Sequence, residues 1–522
     1  MIGKIRKIII YLVRNFFIRT NSIRICRYLG LFLYKLGQVF AVARLKKIPG
    51  VESIYSMTDL TSWTFLPGES DIDLVLVVKN FNSQEFINFA EQFSHATKTI
   101  YYFFPFFQHM PVYTDEVLEA ANESWSLEAT QKTKDFRNWI LLWGQDRISK
   151  STPPDHQEPS PVIVRLIYER LFLEICRFKW EPKRQLRRIY LNFFDIMRQS
   201  FIAVKKRDAR SDDEYVSYMR EIGLRPEFID LFLKLPDCHF RRDYEFLPLA
   251  LFSALKLLEN IKEPVKHDLS HPKIVVDKKI EITLAEEAVE FVNQIDKVGI
   301  SSIYCGQYIH CLFGFQNLYF ILENDLPYDI FRKEFDNIYN KLNILKTLRA
   351  NSTLGTLKAV KHNGQDPKEV FPLIMTKRMM ESLYLINGQW GLEGLEIGLF
   401  GKKIFGKDID FLSFWNGNYD DGLTKIEYHS LATFMITLYQ IALNKKNRAT
   451  AFGLIKKTVK FYQLYEKTNT IYYGDIDRRY RENFGHDGPA IDNMAEFMKA
   501  IEIFYRHEKK RISHLLSEKE IK

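Results

Sequence analysis

From Ile5 to Leu45 apolar side chains recur at three- and four-residue spacing, with one interruption near Thr20–Asn21. That period predicts two amphipathic helices. "IPGVESIYSM" follows with a proline–glycine turn and a short apolar strand, Val51 to Met57. A loop then leads to a second strand, Ile72 to Val78, whose last five residues are all apolar. In "NSQEFINFAEQFSHATK", Phe86, Phe89, Ala90 and Phe93 share a helical face behind an N-cap at Asn82 or Ser83. "TIYYFFPFF" and "MPVYT" are apolar and β-prone. Strand, loop, strand, helix, strand is an α/β succession.

Beyond it, "SKSTPPDHQEPSP" at 149–161 is rich in Ser and Pro and reads as a linker. "VIVRLIYERLFLEICRF" and "PLALFSALKLLENI" have helical periods. "KIVVDKKIEITL" alternates as a strand does, "AEEAVEFVNQIDKV" reads as helix and "LYFILEN" as strand. The remainder is mostly helical in pattern, with no regular repeat. The expected fold class is α+β: an N-terminal mixed sheet with flanking helices, then a large, mostly helical region holding a small α/β insert. The boundaries are 1–48 for a basic amphipathic segment, 49–150 for the α/β domain, 162–272 for a helical domain, 273–326 for the insert and 327–522 for a helical C-terminal region.

A chain of 522 residues exceeds one ordinary core. Its 46% apolar and 27% charged composition is that of a folded soluble protein and excludes wholesale disorder. The five cysteines are scattered and odd in number, which fits a reducing compartment. Cys305, His310 and Cys311, with Cys238 and His239, match no common zinc spacing. Charge changes the picture more. The net charge is +9, yet residues 1–50 hold eleven Lys or Arg and no acid, so the rest is close to neutral. The N-terminal segment lacks the form of a signal peptide, because arginines interrupt its apolar run. Its uncharged stretches fall short of the roughly 20 residues of a membrane span. It is open to three uses: helices packed on the next domain, a membrane-surface helix, or a face for a polyanion.

The candidate chemistry begins at the mouth of the second strand. "WTFLPGESDIDLVLVV" places Asp71 and Asp73 one residue apart, so on a strand they share a face while Ile72 turns inward. Two hard carboxylates side by side suit Mg²⁺, or Mn²⁺, with room for phosphate oxygens. Two other Asp-Ile-Asp triplets lie elsewhere, Asp408–Asp410 and Asp475–Asp477. The first reads as cap or turn chemistry and the second as a solvated loop. Only Asp71 and Asp73 have a turn before them and a clear strand after.

"VESIYSMTDLTSWTFLPGESDIDLVLVV" resembles the DNA polymerase beta-like nucleotidyltransferase superfamily, the group of minimal and antibiotic-modifying nucleotidyltransferases. "PGESDIDL", Pro67 to Leu74, carries the likeness, and "ILLWGQDRI", Ile140 to Ile148, looks like the segment that follows the sheet in that group. The resemblance covers roughly residues 45–150. It implies a mixed sheet, a following helical domain, and transfer of a nucleoside monophosphate from Mg-NTP to an acceptor hydroxyl. Asp71 and Asp73 become the metal ligands and catalytic carboxylates. Thr58, Asp59 and Ser70 become the nucleotide-side residues.

Two positions depart from that pattern. Thr58-Asp59 stands where the group has Gly-Ser, which brings a side chain and a negative charge toward the phosphates. The strand segment expected to bear a third acid, "FFQHMPVYTDEVL", holds His109, Met110, Pro111 and Val112, with Asp115 and Glu116 just after. Two functions therefore stand open: a Mg²⁺-dependent nucleotidyltransferase acting on a small molecule or protein hydroxyl, and a catalytically degenerate relative that binds a nucleotide or a protein. The implied partners are a nucleotide, an acceptor and a membrane surface met through residues 1–45. The implied location is cytoplasmic, including the inner face of a membrane. No specific nucleic-acid motif, phosphate loop or HExxH motif appears. "KIFGKDI" echoes "LLWGQDRI" and reads as a recurring helix-to-helix turn. "YGDIDRRYRENFGHDGP" reads as a polar loop in which Arg478, Arg479 and His486 are available to an anion.

Overall fold

The structure is a computed structural model. It describes residues 2–20, 23–61, 65–68, 70–107, 112–114, 139–147, 166–171, 187–205, 211–234, 245–261, 273–276, 286–307, 315–323, 326–344, 369–383, 391–414, 470–473 and 476–485, with a few single positions between them. The chain forms two compact units. One comprises Met1–Asp155, Thr424–Val459 and Asp477–Lys522, the other His156–Leu423 and Lys460–Ile476.

The first unit opens with helices α1 (Ile2–Thr20) and α2 (Arg24–Leu45), broken where the sequence pattern breaks. Strands β1 (Val51–Ser56) and β2 (Leu74–Val78) follow, then α3 (Ser83–Phe103), β3 (Val112–Thr114) and β4 (Ile140–Gly144). They make one mixed sheet in the order β3-β2-β1-β4. β2 is antiparallel to β1 and parallel to β3, the crossover between the parallel pair being α3. All five residues of β2 are buried, as expected of an unbroken apolar run covered on both faces. Asn82 caps α3: its Oδ1 accepts from Glu85 N at 2.9 Å, and Glu85 Oε2 accepts from Asn82 N at 3.1 Å. This reciprocal pair is a capping box. "TIYYF" belongs to α3 and not to a strand, a correction with a clear cause. Phe89, Phe93 and Ile100 keep the helical period on a buried face, and that burial outweighs the β-preference of the aromatics. The helix ends just before Pro105, which disfavours helical backbone at the residue ahead of it.

The second unit begins with helices α4 (Arg187–Lys205), α5 (Asp212–Glu221), α6 (Pro226–Lys234) and α7 (Phe246–Glu259). α7 is apolar nearly all round, with eleven of its fourteen residues buried, and serves as the central helix of this group. Strand β5 (Lys273–Val276) and helix α8 (Glu286–Gln294) come next. Then follow β6 (Ser302–Gln307), β7 (Phe315–Leu322), α9 (Tyr328–Tyr339), β8 (Glu369–Thr376), α10 (Lys377–Leu383), α11 (Gly391–Phe400) and β9 (Lys402–Gly406). β10 (Thr470–Tyr473) pairs in parallel with β5; α12 (Ile476–Phe484), which from Asp477 on belongs to the first unit, ends the described elements. β6 and β7 are thus the centre of a second four-stranded sheet, ordered β8-β7-β6-β9, whose outer strands lie well past residue 326. Pro372 sits in β8 without cost to the ladder because β8 is an edge.

The second sheet repeats the first. β7 is antiparallel to β6 and parallel to β8, and α9 is the crossover, as α3 is in the first sheet. Ser53 pairs with Gly144 and Ser302 with Gly406, and a bulge follows each pairing, after Ile54 and after Ile303. Ser53 Oγ donates to the carbonyl of Gln145, and Ser302 Oγ to that of Lys407. Tyr55 and Tyr304 donate to the same two carbonyls, each at 3.3 Å. Each hydroxyl then accepts from the amide two residues further on, Arg147 N at 2.6 Å and Ile409 N at 2.9 Å. Gly144 and Gly406 have φ of 92° and 84°, and a Cβ on either would lie 2.0 Å from a carbonyl oxygen, of Glu52 or Ser301. The echo of "LLWGQDRI" in "KIFGKDI" is therefore a strand leaving the sheet over its neighbour, not a turn between helices, and the chain does contain a repeat.

Candidate functional site

The mouth of β2 is assembled from three directions. Along the strand, Ile72 is fully buried and bridges to Phe107, while Asp71 and Asp73 on either side of it are partly exposed. The alternation of burial expected of this stretch is present, although β2 begins at Leu74, so both acids precede the strand instead of lying on it. From the β1 side, Met57 N donates to Asp73 O at 2.9 Å. Thr58 Oγ1 accepts from Asp73 N at 3.0 Å and donates to Asp71 O at 3.3 Å. Ser56 Oγ in turn donates to Thr58 O at 2.8 Å and accepts from Thr58 N at 3.3 Å. Thr58 thus fastens the loop after β1 to the backbone that bears both acids. Asp59 is exposed, and its Oδ1 accepts from Thr61 N at 2.8 Å and from Thr61 Oγ1 at 2.6 Å. These bonds place partial positive charge on the carboxylate within its own turn.

From the other side comes the turn Leu66–Ser70. Ser70 N donates to Leu66 O at 2.8 Å, and Ser70 Oγ accepts from Leu66 N at 2.9 Å. Gly68 has φ of 88°, and a Cβ there would lie 2.8 Å from the carbonyl oxygen of Arg14. Only glycine fits a left-handed backbone pressed against a helix in this way. α1 and α2 clamp the turn. Arg14 Nε donates to Gly68 O at 2.7 Å. Tyr34 OH donates to Ser70 O at 3.0 Å and accepts from Gly68 N at 3.0 Å. The Tyr34 ring stacks on Phe106 with centroids 4.0 Å apart. Sequence reading missed Tyr34; its only signal was a tyrosine one helical turn after Gly30, and Gly30 packs against Pro67 of the same turn.

The residues fit a hard divalent cation of the magnesium type. Two carboxylates flank Ile72 just ahead of β2 at a partly exposed mouth, and such an ion is held by one or two carboxylates with substrate phosphates and water completing its shell. Among the described residues no group of three His, Cys, Asp or Glu side chains converges. The described residues on the β3 side of this mouth, Phe106, Phe107 and Met110, include no acid, and Gln108 lies outside the described residues. His109, Asp115 and Glu116 lie outside the described residues, as does His486.

The corresponding mouth of the second sheet is different. Counting from Ser53 and Ser302, Leu318 occupies the register of Leu74, so Asn317 stands where Asp73 does and Phe315 where Asp71 does. Asn317 is buried, its amide donating to Tyr319 OH at 3.2 Å. Cys305, at the register of Ser56, is buried, and that burial pushes its thiol up to about 12. Both sheets keep the tyrosine-held exit loop, and burial raises the Tyr55 hydroxyl above its ordinary range. Only the first keeps the carboxylates.

The other two Asp-Ile-Asp triplets have local roles. Asp408 pairs with Lys403, and Asp410 accepts from Ser413 N at 3.3 Å to cap the turn 411–414. Asp477 lies in the first turn of α12, where a carboxylate complements the helix dipole. The segment expected to be a polar loop is largely this helix. Arg478 and Arg479 lie 3.9 and 3.3 Å from Glu482, one turn on, and the alternating charges suit an exposed helix better than a loop. No protein-family model matches the chain, and no curated protein matches it significantly.

Proposed function

We propose that the first sheet is a nucleotidyltransferase site that moves a nucleoside monophosphate from an NTP to a hydroxyl of a small molecule or protein. The observation that carries this reading is the pair Asp71 and Asp73, partly exposed on either side of the buried Ile72 at the mouth of β2. The strand order and the parallel crossover through α3 support it. So does the contrast inside the chain: the same strand framework occurs twice, and only one copy bears carboxylates at this register.

Asp71 and Asp73 would hold Mg²⁺, which would neutralise charge on the triphosphate and the pyrophosphate leaving group. The protein's own part is placement. Thr58 and the Tyr34-held turn fix the backbone of the two acids, so their oxygens would be placed for the metal ion in advance, without reorganisation. The acceptor oxygen would form a bond to the α-phosphorus as the α–β bridging bond breaks. Pyrophosphate departs, and the acceptor's proton passes to solvent or to a base brought by the acceptor. Incubating the protein with α-labelled NTP and Mg²⁺ or Mn²⁺ tests this. Transfer of label to an acceptor with release of pyrophosphate is expected, and loss of both in Asp73→Asn.

A second reading rests on Phe106, Phe107 and Met110, the described residues on the β3 side of the mouth, none of which is an acid. In it the site binds a nucleotide without transferring it. Mg²⁺-dependent binding with no pyrophosphate release from any NTP would select that reading.

A further inference from the structure

We propose that α2 docks the protein on an anionic membrane surface, using the face turned away from the first sheet. α2 has two apolar stripes. One is packed: Gly30, Tyr34, Gly37, Ala41 and Leu45 are buried, and a Cβ on Gly30 or Gly37 would come within 2.5 Å of Pro67 or 2.7 Å of Phe106. The other is exposed. Ile25, Tyr28, Leu29, Phe32, Leu36 and Val39 follow helical spacing and are 46–76% accessible. A surface helix ordinarily turns polar residues outward. α1 adds Leu12 and Phe16, at 59% and 48%, and the end of α3 adds Phe103 at 60%, its ring against Phe40 of α2. Exposed apolar surface this continuous marks an interaction site.

Charge selects the occupant. Residues 1–50 hold eleven cations and no acid, and Arg24 and Lys35 adjoin the stripe, four residues from Tyr28 and Val39. An apolar stripe edged with cations matches acyl chains below anionic headgroups. A second copy would bring like charges together. A polyanion alone would leave the apolar side chains in water. α2 is long and apolar enough to cross a membrane, with 22 residues and a mean hydropathy of 1.3 over its most apolar window. Its packed stripe holds it against the domain instead. Tyr34 bonds Ser70 and Gly68 of the turn before Asp71, so the helix lies along the surface. The proposal stands independently of the nucleotide reading.

Flotation of the full chain with phosphatidylcholine vesicles, with and without phosphatidylserine, tests it. The wild type is expected to float with the anionic vesicles and roughly tenfold less without them, and added salt should release it. Phe32→Ser with Leu36→Ser, on the exposed stripe, should lower flotation roughly tenfold or more while circular dichroism and thermal unfolding stay unchanged. Arg24→Gln with Lys35→Gln should reduce only the preference for anionic lipid. No flotation, equal flotation on both vesicles, or flotation undiminished by the stripe variant would overturn the proposal. Retention through alkaline carbonate washing would overturn it in favour of a spanning helix. A dimer lost in the stripe variant without lipid binding would overturn it in favour of a second copy.

Discussion

Thr58 shows how one side chain can fix the geometry of a strand mouth. Its hydroxyl joins the amide of Asp73 to the carbonyl of Asp71. Thr58→Val keeps the shape and removes both bonds, leaving two strand-mouth groups poorly satisfied. A loss of about 1–3 kcal/mol in urea unfolding is expected, together with weaker nucleotide binding. Cys305 makes a separate prediction. Its thiol is pushed up from 9.0 to about 12 by burial, so the folded protein keeps a proton that the unfolded chain gives up above pH 9. The associated stability is complete below pH 9 and is lost as pH rises from there toward 12. Cys305→Ala should flatten that part of the stability–pH profile. At pH 8 mass spectrometry should find Cys305 unalkylated in the folded protein and modified once it is unfolded.

At the scale of elements, three strands of the first sheet were legible, while Ile140–Gly144, expected in a segment that follows the sheet, is its edge strand β4. α1, α2 and α3 have strong helical periods, and β2 is a five-residue apolar run behind a turn. The second sheet was not legible. Its strands are divided among distant segments, and the repeat survives in only a few residues, Ser-Ile-Tyr on β1 and β6 and Gly-x-Asp after β4 and β9. Two short echoes weigh little when read apart, and a shared ladder register is what joins them. The repeat predicts matched behaviour. Gly144→Ala and Gly406→Ala each drive a Cβ into a carbonyl oxygen at positive φ, so each should cost at least about 1–3 kcal/mol, seen as a fall in thermal midpoint. Functionally the two sheets should differ: Asn317→Ala, in the second, should leave nucleotide binding unchanged. The burial of Ile72 between two partly exposed acids was legible from the alternation of polar and apolar residues ahead of β2. The Tyr34 clamp was not, because only tertiary packing brings α2 to the turn at Leu66–Ser70.

Across the whole molecule, net charge is concentrated in the first of the two units, which carries the cationic N-terminal helices and also Asp71 and Asp73. α2 links them: one face holds the turn before Asp71 and the other presents the exposed apolar stripe. The proposed metal-dependent nucleotide site rests on Asp71 and Asp73. Calorimetric titration of the four NTPs, with and without Mg²⁺, into wild type and into Asp71→Asn with Asp73→Asn, tests it. Binding that requires Mg²⁺ and disappears in the folded double variant is expected. Absence of binding to the wild type, or binding that the variant retains, would contradict it.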